Sequence, residues 1–266
     1  MGKPVQTNNI KLGRRHTMRA AVVIPARWGS TRFPGKVLAD VFGRPLIAHI
    51  VTACRNSRAV DEVIVATDDR RVFAAAEHAG ARPVMTSSRL QSGSDRAAAV
   101  VQGLKTEIIV NVQGDEFFNR PALVGRLITF LRRHPNIEVA TLARPVTARE
   151  AADPHLVKVV CDRAGDALYF SRAPIPFDRD KTKGAGFLGH IGMYAFRRAT
   201  LLEFAAAGKT PLETTENLEQ LRLLERGVKI RVLKTSCITV GIDTPADLCQ
   251  LKSLIKLNRL RLRGEP

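Results

Sequence analysis

Short apolar runs alternate along the chain with stretches whose apolar residues recur at helical spacing. This pattern predicts an α/β protein, a mixed and mostly parallel sheet with helices on both faces. Strands are predicted at Ala20–Ile24, Glu62–Ala66, Pro83–Thr86 and Glu107–Val112 in the first half. Further strands are predicted at Glu138–Leu142, Leu156–Cys161, Ala167–Phe170, Gly192–Phe196, Ile230–Leu233 and Ile238–Ile242. Helices are expected over Pro45–Cys54, Arg70–Ala79, Pro121–Arg133, Leu201–Ala207 and Thr215–Arg226. Two more are expected from Ser92 through Leu104 and from Pro245 to about Leu257. Boundary chemistry agrees: Pro45 suits a first helical turn, Thr67-Asp68-Asp69 and Asp243-Thr244-Pro245 can cap, and Gly80 can stop a helix. The strand-rich stretch from about 140 to 200 is expected to form a smaller lid subdomain within one folding unit. It contains a proline- and charge-rich loop, Ser171–Lys183, and a stretch at Gly184–Gly186 expected to be mobile.

The most informative segment is Val22–Lys36, V-V-I-P-A-R-W-G-S-T-R-F-P-G-K. A strand runs into a loop carrying Arg27, Arg32 and Lys36, with glycines that let backbone N–H groups approach an anion. It is not a Walker A loop. The span from Gly29 to Lys36 is one residue too long, and Val37 stands where a magnesium-holding hydroxyl would be. Any metal must therefore be held from elsewhere. A basic surface loop without function is the alternative reading at this point.

Composition narrows the partners. At 266 residues and 45% hydrophobic, the chain can bury a large core. The formal net charge of +17 is concentrated at the ends: residues 1–19 and 252–266 supply 9 of those charges. Residues 1–18 and 258–266 are therefore expected to be a disordered basic extension and tail around a domain at 19–257. No nucleic-acid-binding module is recognisable, and aromatics at 5% are too sparse for base-stacking platforms. No apolar run approaches the ~20 residues of a membrane span. Cys54, Cys161, Cys237 and Cys249 are scattered and read as reduced thiols, which points to the cytoplasm.

Two acids follow apolar strands, Asp115 and Asp243. Carboxylates at strand ends face the ligand-binding edge of an open sheet, and two of them with phosphate oxygens suit Mg²⁺. Asp243 could instead cap a helix, and Asp115 could order a loop; Asp68 reads as a cap. The histidines form no metal set. His190 differs from the others only by its place at a predicted strand start.

Seven segments occur in order: A-V-V-I-P-A-R-x-x-S-T-R-x-P-G-K ending at Lys36, S-G-S-D-R at 92–96, V-N-V-Q-G-D-E at 110–116, A-L-Y-F-S-R-x-P-I-P at 167–176, H-I-G-M-Y at 190–194, L-E-x-x-E-x-L-E-Q-L-R at 212–222 and I-D-T-P-x-D-L at 242–248. Together they resemble the 3-deoxy-D-manno-octulosonate (Kdo) cytidylyltransferases of bacterial lipopolysaccharide synthesis, over residues 19 to 257. The resemblance implies a Rossmann-like nucleotidyltransferase fold and transfer of CMP from CTP to Kdo. It implies that Ala26, Arg27, Lys36, Ser92 and Gly93 bind the nucleotide, with Arg27 and Lys36 on its phosphates. Asp115 and Asp243 match magnesium ligands, and Arg27, Lys36, Asp115 and Asp243 form the catalytic set. Gln113, Arg172, His190, Tyr194, Glu213 and Glu216 match segments lining the sugar-acid pocket, with Arg172 suited to the sugar carboxylate. A homodimer is also implied.

Three positions depart from the family pattern. Leu90 replaces a histidine, Ser94 a threonine, and Gly189 a basic residue before H-I-G-M-Y. They leave open an amino-substituted octulosonate or another acidic sugar such as a nonulosonate. A non-catalytic nucleotide-binding relative is the rival from a different class.

Overall fold

The computed structural model describes residues 18–257 except Thr31, Gln91, Asn119 and 181–185. The basic extension, the basic tail and most of the Gly184–Gly186 stretch lie outside the described residues.

The chain opens with β1 (Ala20–Pro25), a 3₁₀ turn at Lys36–Leu38, a small hairpin of β2 (Asp40–Val41) and β3 (Arg44–Pro45), and α1 (Leu46–Arg55). Then come β4 (Glu62–Thr67), α2 (Arg70–His78), β5 (Arg82–Met85), α3 (Gly93–Val101), β6 (Ile108–Asn111), β7 (Glu116–Phe117) and α4 (Ala122–Arg133). The next part holds β8 (Val139–Val146), α5 (Ala148–Ala151), β9 (Lys158–Cys161), β10 (Ala167–Ser171), β11 (Phe187–Arg197) and α6 (Arg198–Ala206). The chain closes with α7 (Pro211–Glu216), α8 (Leu221–Glu225), β12 (Ile230–Lys234), β13 (Val240–Gly241) and α9 (Pro245–Lys256).

Among the described residues the main sheet has nine strands. Its parallel half runs β6-β1-β4-β5, and β11 joins β6 antiparallel at the other side. Eleven residues long, β11 also pairs with β8, and at Gly189 with β9; this is the smaller antiparallel region expected from the 140–200 stretch. These strands belong to the same sheet as β1.

β1 is buried along its whole length and feeds two cores. Ala20, Val22 and Ile24 pack on the face covered by α1, α2, α4 and α9, while Ala21 and Val23 pack on the face covered by α3 and α6. An uninterrupted apolar run is what a parallel strand buried on both faces requires.

Several expectations shift. The helix expected across Thr215–Arg226 is broken: Asn217 adopts a left-handed conformation at φ 54°, separating α7 from α8. Asparagine tolerates that region, which periodicity does not register. The strand expected at Ile238–Ile242 reduces to the two residues of β13, paired with β7. The β-structure expected from Gly192 begins at Phe187 instead. Asp68 is not a helix cap. Asp69 caps α2, its carboxylate accepting from Arg71 N at 2.8 Å.

Candidate active site

The site forms at the C-terminal edge of the parallel strands, as open α/β sheets dictate. After β1, Ala26 N still donates to Ala66 O of β4 at 2.9 Å, and the chain then turns outward. Trp28 organises this turn. Its N–H donates to Asp68 Oδ1 at 3.1 Å, and its carbonyl accepts from Ser30 N and Gly35 N. The Arg71 guanidinium lies 3.3 Å from the indole centroid. Gly35, at φ +69°, closes against the indole so tightly that a Cβ would fall 2.5 Å from a ring carbon. Gly35→Ala must therefore both strain the backbone and displace Trp28. We expect it to cost about 2 kcal/mol of stability, read as a lowered midpoint in urea unfolding.

The short β7–β13 ladder explains how Asp115 and Asp243 meet. Glu116 pairs with Gly241, and Ile242 N donates to Asp115 O at 2.8 Å. Two acids distant in sequence thus flank one point. Lys36 occupies it, with Nζ 2.5 Å from Asp115 Oδ2 and 2.7 Å from Asp243 Oδ1. Arg32 Nη2 adds a contact to Asp243 Oδ2 at 3.0 Å. Burial by itself would lower the Lys36 pKa, but the charges and hydrogen bonds of both carboxylates outweigh it and raise it. Burial would raise the Asp243 carboxyl; Lys36 and Arg32 outweigh that and hold it low. Capping of α9 falls to Thr244, which forms a capping box with Asp247 and so leaves the Asp243 carboxylate free for the site.

These groups line a cavity of about 290 Å³. Its wall includes Ala26, Arg27 and Lys36 from the first loop, with Asp115 and Asp243. Ser92 and Gly93 contribute from the start of α3, whose N-terminus is capped by the Ser92 hydroxyl accepting from Asp95 N at 3.0 Å. Leu90 and Arg96 also face it. Arg96 was not singled out by the sequence reading. It is 2% exposed, bonded to Asp68 and Thr86, so a buried cation braces the nucleotide-side wall.

A second cavity, of about 340 Å³, adjoins the first. Gln113, Arg172, His190 and Tyr194 line it, together with Asn111 and Asn217. Gln113 and Glu219 line both cavities and so form their shared wall. The Tyr194 hydroxyl and Asn111 Oδ1 are buried with no hydrogen-bond partner among the described residues. Such groups are costly unless something satisfies them. Glu219, Asn111 and Asn217 were missed; Glu219 sits inside the quoted L-E-Q-L-R segment, but nothing in spacing distinguishes it from Glu213 and Glu216.

His190 lies within β11, not at its start, with Nε2 2.9 Å from Thr141 Oγ1. The Thr141 proton has an acceptor in Met193 O at 2.9 Å, so the imidazole is the donor to Thr141. Desolvation pushes the His190 pKa down to about 3. Between pH 6.5 and that value the unfolded chain binds a proton that the folded chain does not. Stability is therefore expected to fall toward acid across this window by up to about 1.4 kcal/mol per pH unit, with no His190 contribution above it. Denaturant titrations at several pH values should show a shallower acid limb in His190→Gln.

Glu213 and Glu216 are placed otherwise than in the cavities. Glu213 is 4% exposed and forms a two-pronged ion pair with Arg222, Nε–Oε2 2.7 Å and Nη2–Oε1 2.6 Å. Glu216 accepts from Ser171 Oγ at 2.6 Å and Arg172 N at 2.9 Å, and its carbonyl takes Arg172 Nε. It braces Arg172 from behind. Among the described residues no cluster of three or more His, Cys, Asp or Glu could hold a metal, so an ion on Asp115 and Asp243 would complete its shell with substrate oxygens and water. That fits the few hard oxygens that Mg²⁺ takes from protein.

Residues 21–230 match the family model described as Cytidylyltransferase. The 3-deoxy-manno-octulosonate cytidylyltransferase of an Anaeromyxobacter species is 49% identical over 89% of this chain and 97% of its own length. The Escherichia coli protein of that name is 43% identical over 89% of this chain and 96% of its own. This chain belongs to the 3-deoxy-manno-octulosonate cytidylyltransferase family. It is accordingly a nucleotidyltransferase. A solved CMP:2-keto-3-deoxy-manno-octonic acid synthetase complexed with CTP superimposes with a TM-score of 0.85 at 42% identity, covering 90% of this chain and 99% of that one. A 4-diphosphocytidyl-2C-methyl-D-erythritol synthase from Anaerococcus prevotii shares the fold alone, at TM-score 0.60 and 16% identity.

Proposed function

We propose that this protein transfers CMP from CTP to the anomeric hydroxyl of Kdo, releasing pyrophosphate, as a step toward lipopolysaccharide. The observation that carries this reading is the pair of adjoining cavities sharing Gln113 and Glu219. One is cationic and acidic, as a triphosphate with a metal requires. The other presents Arg172 and two buried polar groups without a partner among the described residues, Tyr194 Oη and Asn111 Oδ1, as a hydroxylated sugar acid requires. The sugar hydroxyl attacks the α-phosphorus in line while the bond to pyrophosphate breaks. Such a transfer needs positioning and charge neutralisation rather than an enzyme nucleophile.

Arg27 and Lys36 hold the departing phosphates, with Ala26, Ser92 and Gly93 along the nucleotide. Asp115 and Asp243 would hold Mg²⁺, which when bound neutralises charge at the α-phosphate and lowers the pKa of the attacking hydroxyl. Arg172 pairs with the sugar carboxylate, held by Glu216. Its Nη1 and Nη2 donate to Pro154 O and Asn217 O, and each keeps a second hydrogen for a ligand.

Unmodified Kdo is favoured over an amino-substituted analogue by what the departures change. Leu90 faces the nucleotide cavity, not the sugar cavity, and Ser94, which does line the sugar cavity, keeps the hydroxyl of the threonine it replaces. Gly189 packs where a Cβ would meet Val146 Cγ1 at 2.8 Å, away from both cavity walls. No described helix is long and apolar enough to cross a membrane. The scattered cysteines support a cytoplasmic location and the family resemblance a homodimer, and both are part of this proposal. A pyrophosphate-release assay across nucleotides and sugar acids tests the reading. CTP with Kdo should be the best pair. Binding of CTP without release for any acidic sugar would leave only the non-catalytic rival, and a preferred nonulosonate or amino sugar would replace Kdo.

A further inference from the structure

The position of Lys36 bears on how the metal enters. Its ammonium bridges the two carboxylates at 2.5 and 2.7 Å, and Arg32 takes the remaining Asp243 oxygen at 3.0 Å. Among the described residues these two cations thus balance these two carboxylates, so the cluster offers no net negative charge to draw a free divalent ion. An Mg²⁺ bonded to the same oxygens at about 2.1 Å would lie within about 5 Å of the ammonium. Cations that close repel strongly unless anions intervene. The lysine stem has little room to retreat, since the side chain is only 10% exposed. A triphosphate changes the balance, because it brings several negative oxygens to the same cavity, where Arg27 also lies. Lys36 can then pass from carboxylate to phosphate, and the carboxylates are released to a metal that arrives with its own phosphate ligands.

We propose that Lys36 is a placeholder cation that closes the Asp115–Asp243 pair to free divalent metal and opens it only when a nucleotide triphosphate takes over its ammonium. The proposal rests on the reading above that these two carboxylates hold the catalytic metal. Its consequence is an obligatory coupling: metal and nucleotide enter together, and neither an empty enzyme nor one carrying only the sugar stores metal.

Mn²⁺ binding to the full-length protein, followed by the loss of the free-ion EPR signal, tests this without turnover. Wild type alone should bind Mn²⁺ no better than about 1 mM, and Lys36→Met about 100-fold more tightly. Lys36→Arg, which keeps the charge, should stay weak. If Lys36→Met does not fold, Lys36→Gln and the wild-type comparison with and without CTP carry the test. Adding CTP to wild type should produce protein-bound Mn²⁺ beyond the Mn–CTP complex alone, and Asp115→Asn should abolish that increment. Tight Mn²⁺ binding to wild type without nucleotide would overturn the proposal, as would equal affinities in wild type and Lys36→Met. The two failures separate cleanly. If CTP recruits Mn²⁺ in an Asp115-dependent way but Lys36→Met gains nothing, the placeholder role falls and the metal assignment stands. If Asp115→Asn recruits Mn²⁺ as well as wild type, the metal assignment falls, and the placeholder with it.

Discussion

Asp115→Asn is expected to lower the rate of pyrophosphate release by about three orders of magnitude while leaving the protein folded. The expectation follows from what the side chain touches. Asp115 is partly exposed, and its ion-pair partner among the described residues is Lys36. Its backbone, not its carboxylate, makes the link to the β13 end, through Ile242 N. An amide there can still accept from Lys36, so folding loses little. What it loses is the negative charge that a divalent ion needs, in a cavity where that charge is counted against Lys36 and Arg32. Steady-state kinetics with CTP and Kdo, paired with a thermal melt, check both halves. A near wild-type rate would remove Asp115 from the metal site; a collapsed melt would show that it orders the loop instead.

Breaking the Glu213–Arg222 pair is expected to produce the largest loss of stability. The two side chains are 5% and 4% exposed, and every branch of the guanidinium is engaged, Nη1 donating to Phe204 O and Ala207 O at 3.0 Å each. Arg222→Met leaves a buried carboxylate without its counter-charge and two carbonyls without a donor. A cost of about 3–5 kcal/mol is expected, or a melting temperature lower by about 10 °C. The kinetic readout bears on Glu213. The family resemblance places it in the sugar pocket, whereas in the structure it lines neither cavity and serves as the N3 partner of Thr210 in the capping box that opens α7. If its role is the ion pair, Glu213→Gln assayed well below its melting point should keep its KM for the sugar within a few-fold. A stable variant with a sharply raised KM would return Glu213 to the substrate.

Much of the fold could be read from period and punctuation. The buried run at Ala20–Pro25, the Ser92 cap and the Pro245 helix start are local statements, made by residues within a few positions of one another. Local chemistry was less able to choose between neighbours. Asp68 and Asp69 are equivalent as caps by type, and so are Asp243 and Thr244. In each pair one residue capped a helix and the other was taken by a distant partner, Arg96 for Asp68 and Lys36 for Asp243. The break at Asn217 was missed for a related reason. An amphipathic pattern continues across it, and only the packing of α7 against α8 requires the left-handed residue.

By itself, then, the sequence determined the parallel core, the cationic loop that follows its first strand, and the presence of two strand-end acids. Those properties depend on contacts among near neighbours and on hydrophobic period. The tertiary structure alone decided that Asp115 and Asp243 close on one ammonium, that Glu219 stands between two cavities while Glu213 does not, and that Tyr194 and Asn111 keep buried polar atoms unpaired among the described residues. Each of these is set by which segments the sheet brings side by side, above all by the two-residue ladder of β7 with β13, and no local pattern encodes a pairing across that span of chain.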